Sequence, residues 1–289
     1  YITTGRSMRR AVARRCALES RPTMLQYTDY NISTLRPYIN WLYFYFAWGL
    51  SGKPQEAKDR MRADAEQMLD SLETRYQTHA AVGLFEANSD GDDILIDDVR
   101  LPMLRQQHPT REGEPNLSLA DFIRPLSTGI KDRIGVFATT VDLALEHDFL
   151  TDDYQRMLAQ TLADRLAEAT AEVLHMEVRR SLWGYAPDEN LSVAELLRED
   201  FQGIRPAVGY SSMPDTSVNF LIDRLINLKQ IGIRLTESGA MKPHASVSGL
   251  MFAHPKAHYF ELGRIGEDQL RDYAHRRGLP VELIRRFLK

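Results

Sequence analysis

Residues 205–210, Arg-Pro-Ala-Val-Gly-Tyr, have the residue types of an anion-binding turn. Arg205 carries a planar guanidinium that can hold a carboxylate through two parallel hydrogen bonds. Pro206 keeps the adjoining backbone extended, and Gly209 allows a bound group to approach the main chain closely. Such a sequence on its own is more often a surface turn with an incidental arginine. The segment therefore needs a context before it predicts a binding site.

Few other residues suggest chemistry. Cys16 is the single cysteine, so it can form neither an internal disulfide nor a Cys-x-x-Cys metal or redox pair. The carboxylates in residues 90–98 lack the spacing of a calcium loop and indicate a solvated hairpin turn. His244 and His254 lie beside prolines and are interpreted as hydrogen-bonded loop residues. We predict no metal site and single out no catalytic residue.

Composition excludes several classes of protein. A net charge of −4 gives no general attraction to nucleic acid or to an anionic membrane. The longest apolar run, residues 39–50, is too short to span a bilayer. The arginine-rich start lacks the apolar core and cleavage site of a secretory signal. Together with the lone cysteine, these features predict a cytoplasmic protein with no nucleic-acid or membrane partner.

Local signals predict alternating helices and strands. Helices are expected after Pro54, after the acidic cluster at Asp152, after a capping box at Ser192, near Asp215 and after Glu267. Strands are expected at residues 81–85, 93–96, 133–138, 246–252 and 258–265, the last two as a hairpin. Strands in hairpins beside clustered helices predict an α+β fold with an antiparallel sheet. No strand–Gly-x-Gly-x-x-Gly–helix unit supports a Rossmann-type site.

The same signals suggest how the chain is divided. Residues 1–30 are basic and then turn-prone, and they are predicted to form a connector. Periodic segments follow one another from there without a long linker, which predicts one compact domain over residues 31–289. The aromatic run in residues 41–48 is interpreted as buried core rather than as a surface on which bases stack.

Eight segments, in order and in register, resemble the activation domain of cobalamin-dependent methionine synthases. They are STLRPYINW (33–41), VGLFEANSDGDDI (82–94), SLADFI (118–123), ADRLAEATAEVLHMEVR (163–179), WGYAPDENLS (183–192), ELLREDFQGIRPAVGY (195–210), LTESGAMKPHASVSG (235–249) and HPKAHYFELGRI (254–265). The resemblance implies a C-shaped α+β domain, with a bent antiparallel sheet flanked by helices, that binds S-adenosylmethionine in a groove. It also implies docking on a cobalamin-binding partner domain whose cofactor has been oxidised to cob(II)alamin. An electron from a flavodoxin-type donor and the sulfonium methyl group then restore methylcobalamin.

The resemblance also implies which residues contact S-adenosylmethionine. Glu168 and Glu199 match two family glutamates near the ligand and the docking face, although a solvated helix surface is an equally good interpretation. The other expected contacts lie in three segments of the chain: Asn40, Arg205, Pro206, Ala207, Gly209, Tyr210, Tyr259 and Phe260.

The sequence departs from the family pattern at two places. Asn40 stands where the family has aspartate, whose carboxylate accepts from the ligand's ammonium; asparagine keeps an acceptor oxygen but loses the charge. Because charge-assisted hydrogen bonds are about twice as strong as neutral ones, ligand affinity is expected to be lower unless another acid compensates. Residues 211–216 resemble the family's proline-rich turn but lack its histidine.

Two functional hypotheses remain open. The chain has no Asp-x-His-x-x-Gly cobalamin motif and no zinc thiolates, so it is predicted to be a component of the methyltransferase and not a complete enzyme. As that component it would reactivate cobalamin within a longer polypeptide or in trans on a separate protein. The alternative, favoured by Asn40, is a stand-alone module that docks a corrinoid protein without productive methyl donation.

Overall fold

The computed structural model describes residues 22–288, so Cys16 and most of the predicted connector lie outside the described residues. The strands within this range are β1 (Met24–Asn31), β2 (Gln77–Asp90), β3 (Asp93–Ile96), β4 (Val99–Pro102), β5 (Asp132–Val141), β6 (Arg234–Leu235), β7 (Met241–Lys242) and β8 (Ser246–Met251). The α-helices are α1 (Ile32–Leu35), α2 (Trp41–Ala47), α3 (Gln55–Glu73), α4 (Asp153–Glu177), α5 (Val193–Leu197), α6 (Val218–Ile226), α7 (Glu267–Arg277) and α8 (Val281–Phe287).

A six-stranded antiparallel sheet organises the fold. Its order is β4-β3-β2-β5-β8, and β1 pairs with the first half of β2 on the side opposite β5. β6 and β7 form a separate two-stranded ribbon. The long β2 pairs with β1 over residues 77–84, with β5 over residues 78–87 and with β3 over residues 88–90. The predicted α+β class with a curled antiparallel sheet flanked by helices is confirmed.

The sheet separates two hydrophobic cores. Neighbouring residues of β5 point to opposite faces, so Val136 packs with α6, α7 and α8 while Phe137 packs with the helices α1 to α4. Both faces are therefore buried, which explains why β5 is a nearly continuous apolar run. The arrangement places α4 across one face of the sheet, beside β5 and β8.

The helices that border the site begin where local chemistry predicts. Asp152 caps α4 by accepting from the backbone N–H of Gln155, and Ser192 and Glu195 form the predicted capping box of α5. Among the described helices, none has the length and apolar character needed to cross a membrane.

Two sequence predictions need correction. Residues 24–30 belong to β1, because their backbone groups pair with β2 instead of remaining in a connector. The expected hairpin over residues 246–265 keeps only its first strand, β8. The second half, from Ala257 onward, runs as an irregular segment whose backbone is held by Gln106 and Ser211, so a side chain and a loop replace a strand partner.

The aromatic run in residues 41–48 is only partly core. Phe44 is fully buried, whereas Leu42 and Phe46 are 73% and 71% exposed and Tyr43 is also exposed. A seven-residue helix lying on the surface can turn one face inward, so the remaining aromatic side chains project away from the core. The interpretation of this run as a buried helix was therefore wrong for its outer face.

Candidate functional site

A large cleft lies between α2 and α4 on one side and residues 197–212 on the other. Its volume of about 730 Å³ falls inside the range of about 300–1,000 Å³ that is usual for small-molecule sites. Phe137 of β5 and Val247 of β8 also line it. The cleft gathers nine of the ten residues proposed as ligand or docking contacts: Asn40, Glu168, Glu199, Arg205, Pro206, Ala207, Tyr210, Tyr259 and Phe260.

The backbone of the segment that contains Arg205 is held along the edge of β8. Val208 donates to the carbonyl of Ser248 at 2.9 Å, and Leu250 donates to the carbonyl of Pro206 at 3.1 Å. This close pairing requires Gly249, because a Cβ there would lie 2.2 Å from the Pro206 carbonyl oxygen. The wall of the cleft is thus an additional strand-like segment on the main sheet.

Gly209 does not line the cleft. Its φ of +91° places it in the left-handed region that favours glycine, and its N–H donates to the Met213 carbonyl at 2.8 Å. Gly209 therefore shapes the turn that leads into Tyr210, and its close approach to a ligand stays a prediction.

The Arg205 guanidinium points into the wall of the cleft and is paired there. Its terminal nitrogens donate to both carboxylate oxygens of Glu172 and, at 3.3 Å, to Nδ1 of His175. The side chains of Arg205 and Glu172 are only 16% and 5% exposed. Burial works against the charge on Arg205, but Glu172, with Tyr259 and Glu199, more than offsets it, so the Arg205 pKa is raised from its ordinary value.

A polar layer lies behind this pair. Burial and the charges of Arg205 and Arg179 hold the pKa of His175 well below its ordinary value, so its imidazole is neutral. The bare Nδ1 accepts from Arg205, and Nε2–H donates to the Tyr185 hydroxyl at 3.2 Å. Arg179, fully buried, forms a two-point ion pair with Glu189. Of these two arginines, Arg205 is the one that lines the cleft.

His175 predicts a dependence of stability on pH. Below the unfolded pKa of about 6.5 the unfolded chain binds a proton at this histidine and the native chain does not. The free energy of unfolding is therefore expected to fall as pH drops below about 6.5, by up to about 1.4 kcal/mol per pH unit. Urea unfolding of the wild type and of His175→Gln at several pH values measures the difference.

The comparison with His175→Gln is needed because other groups titrate in the same window. The carboxylates of Asp29 and Asp142 raise the pKa of His79 despite its burial, so His79 stabilises the native state at low pH and loses that effect as pH rises. Parallel pH profiles for the wild type and His175→Gln would contradict the assignment of a neutral buried His175.

Asn40 is the N-cap of α2. Its Oδ1 accepts from the backbone N–H groups of Leu42 and Tyr43 at 3.1 and 3.4 Å. The acceptor oxygen that the sequence retains is thus already used by the helix, and the amide NH₂ is the group left for the cleft. At this position the cleft offers a donor instead of the carboxylate acceptor of the family pattern.

The other predicted residues close the cleft around these groups. The Tyr210 hydroxyl donates to Glu168 at 3.3 Å, and burial together with that carboxylate raises the pKa of Tyr210 to about 12. The Tyr259 hydroxyl accepts from the backbone N–H of Arg205 at 3.1 Å. Phe260 is buried against the core.

Glu199 also lines the cleft and has a left-handed backbone conformation. Desolvation raises the pKa of its carboxyl group, while the positive charge of Arg205 lowers it.

The sequence interpretation missed several residues of the site. Arg165, Glu172 and His175 form a polar stripe along α4 with Glu168, at a spacing of three or four residues that places them on one helix face. The spacing of these polar residues along the predicted helix was the sequence signal that could have identified them. Tyr43 and Phe46 line the cleft from α2 and were assigned to the core instead.

The described residues contain no group of three or more His, Cys, Asp or Glu side chains that could hold a metal ion. The site is thus a cleft with paired charges and aromatic walls. Such a set suits a zwitterionic ligand with a ring system.

Comparison with known proteins identifies the family. The family described as "Vitamin B12 dependent methionine synthase, activation domain" matches residues 31–278. A solved structure of the MetH reactivation domain bound to AdoHcy is similar to this chain, with 42% sequence identity and a TM-score of 0.86. The match covers 93% of this chain and 90% of the solved one. The chain belongs to the family of vitamin B12-dependent methionine synthase activation domains.

Proposed function

We propose that this chain binds S-adenosylmethionine in the cleft and presents its methyl group to the cobalamin of a partner domain, for reductive remethylation of cob(II)alamin. The observation behind the proposal is the buried Arg205–Glu172 pair in a cleft whose walls include Tyr210, Tyr259 and Phe260. A 42% identical reactivation domain has been solved with AdoHcy, the demethylated form of this ligand.

The chemistry of the cleft suits each part of the ligand. Arg205 provides donors for the carboxylate, since its Nε–H has no hydrogen-bond partner among residues 22–288. Glu168 and Glu199 provide negative charge for the ammonium and the sulfonium. The exposed part of the Tyr259 ring, which follows the cleft wall beside the buried Phe260, provides a flat surface for adenine. Every charged part of S-adenosylmethionine thus has a residue of opposite charge in the cleft.

The exposed face of α2 supports docking of a partner domain. Tyr43, Phe46 and Tyr210 line the cleft and have exposed side chains, and Leu42 of the same helix is exposed as well. An apolar patch of this kind usually marks an interaction surface. The expected occupant is the cobalamin-binding domain, and a flavodoxin-type protein is the expected source of the electron. We infer that the chain acts in the cytoplasm, as part of the longer synthase or in trans.

Calorimetric titration with S-adenosylmethionine tests the proposal. We expect micromolar binding by the purified chain, and transfer of a labelled methyl group from bound ligand to the cobalamin domain when a reductant is present. The absence of heat at millimolar ligand would refute the donor role. A chain that bound the cobalamin domain but not the ligand would then match the alternative of a docking module without methyl donation.

One observation favours that alternative. The Asn40 oxygen caps α2, so the cleft lacks the carboxylate acceptor that the family places there. Glu168 and Glu199 lie elsewhere in the same cleft and provide negative charge there. Because these two carboxylates can replace the missing charge, we retain methyl donation as the main proposal.

We expect Asn40→Asp to tighten S-adenosylmethionine binding by about 5-fold. One carboxylate oxygen would keep the cap, and the other would replace the amide nitrogen and accept from the ammonium through a charge-assisted bond. Calorimetry measures the change. Asn31→Asp is the matched control, because it adds the same charge at the N-terminus of α1, away from the cleft. Unchanged or weaker affinity would show that the ammonium lies elsewhere.

A further inference from the structure

We propose that Glu172 is a positioning residue for ligand recognition: it holds the Arg205 guanidinium so that the remaining N–H groups face the cleft before the ligand arrives. The proposal rests on the proposed function, since it takes the S-adenosylmethionine carboxylate as the group that Arg205 receives. Glu172 itself is buried and is expected to make no contact with the ligand's carboxylate.

The geometry fixes the arginine from two sides. Both oxygens of Glu172 accept from the two terminal nitrogens of Arg205, and His175 Nδ1 accepts from one of them. The backbone N–H of Arg205 is held by the Tyr259 hydroxyl. A long side chain that would otherwise lose rotamer freedom on binding is thus already ordered. The Nε–H edge is the part of the guanidinium with no partner among the described residues.

The neighbours of the pair support a positioning role. His175 is itself oriented, because its Nε2–H donates to Tyr185 and its ring packs edge-on against Phe201 at 5.1 Å. Phe201 also lies 5.6 Å from the Arg205 guanidinium carbon. These contacts leave the guanidinium little room to rotate within the cleft wall.

A negative charge beside Arg205 could also compete with the ligand for the same cation. Burial decides between these two effects. A guanidinium inside the wall without Glu172 would be an uncompensated buried charge, and the side chain would turn towards solvent. We therefore expect that removal of the Glu172 charge displaces Arg205 instead of freeing it in place, and that affinity for the carboxylate falls.

The test compares two ligands that differ only in the carboxylate: S-adenosylmethionine and decarboxylated S-adenosylmethionine. We expect Glu172→Gln to weaken binding of the first by about 10-fold and to change binding of the second by less than about 2-fold. Arg205→Gln should show the same selectivity with a larger loss. Glu172→Asp, which keeps the charge on a shorter side chain, should recover part of the affinity and also serves if Glu172→Gln folds poorly.

Glu177→Gln is the matched control. It removes a partly buried carboxylate from the same helix, one that accepts from the Tyr30 hydroxyl and does not contact Arg205. This variant should bind both ligands as the wild type does. Urea unfolding of every variant shows whether the folded fraction differs.

Three results would overturn the inference. Equal weakening of both ligands by Glu172→Gln would indicate a general structural role. Selective tightening of S-adenosylmethionine would show that Glu172 competes for Arg205. A wild type that binds both ligands equally would mean that the carboxylate is not recognised by Arg205, although the proposed function would stand. Only a wild type that binds neither ligand would remove the proposed function as well.

Discussion

Arg205→Ala is expected to weaken S-adenosylmethionine binding by about 100-fold. The variant removes a cleft cation whose side chain is only 16% exposed, and the loss of one partner of a buried charge pair costs about 3 kcal/mol, which corresponds to that factor. Calorimetry at high protein concentration measures the change. Arg205→Lys should recover only part of the affinity, because an ammonium keeps the charge but not the planar fork.

The same substitution has a second effect that must be separated from the first. Without Arg205 the Glu172 carboxylate is stranded in the wall, and we expect the free energy of unfolding to fall by about 3 kcal/mol. The double variant Arg205→Ala, Glu172→Gln removes the stranded charge. It should regain much of the stability and none of the binding. A stable double variant that bound S-adenosylmethionine like the wild type would refute the role of Arg205.

Gly249→Ala is expected to lower the free energy of unfolding by about 3 kcal/mol and to weaken ligand binding at the same time. The new Cβ would lie 2.2 Å from the Pro206 carbonyl oxygen and 2.9 Å from the Ala207 Cα, so backbone must move. Overpacking of this kind costs about 1–3 kcal/mol, and the rigid partner places it at the upper end. Urea unfolding and calorimetry measure the two effects.

Gly266→Ala is the control for this prediction. A Cβ at that position meets only the side-chain ends of Asp268 and Gln107, which can move, so its cost should be well below that of Gly249→Ala. Equal stabilities for Gly249→Ala and the wild type would show that the segment of Arg205 is not held by its pairing with β8.

Much of the fold could be predicted because its signals are local. Asp152 and Ser192 cap helices through bonds that span three residues, and the apolar run of β5 is visible without a partner. The failures lie where partners are distant. Residues 258–265 resemble a strand in composition, but their backbone is held by Gln106, about 155 residues earlier in the chain. Strand formation depends on a partner that periodicity does not reveal.

The candidate site shows the same division. Arg205, Tyr259 and Asn40 were identified through motifs in register, and the structure brings all three to one cleft. Glu172 was missed because a glutamate on a helix is usually solvated, whereas the fold buries this one beside Arg205. Tyr43 was assigned to the core but is exposed, since the sequence of an aromatic run does not show which side of the helix will be buried.

The sequence by itself determined the family, the fold class and the residue types available for ligand binding, since motif order and capping signals lie in the linear chain. Only the tertiary structure decided how those residues are used. It paired Arg205 with a carboxylate 33 positions earlier and placed Gly209 in the turn before Tyr210. It also committed the Asn40 oxygen to a helix. The physical reason is that hydrogen-bond partners and burial, which set charge and polarity in a cleft, are properties of neighbours in space.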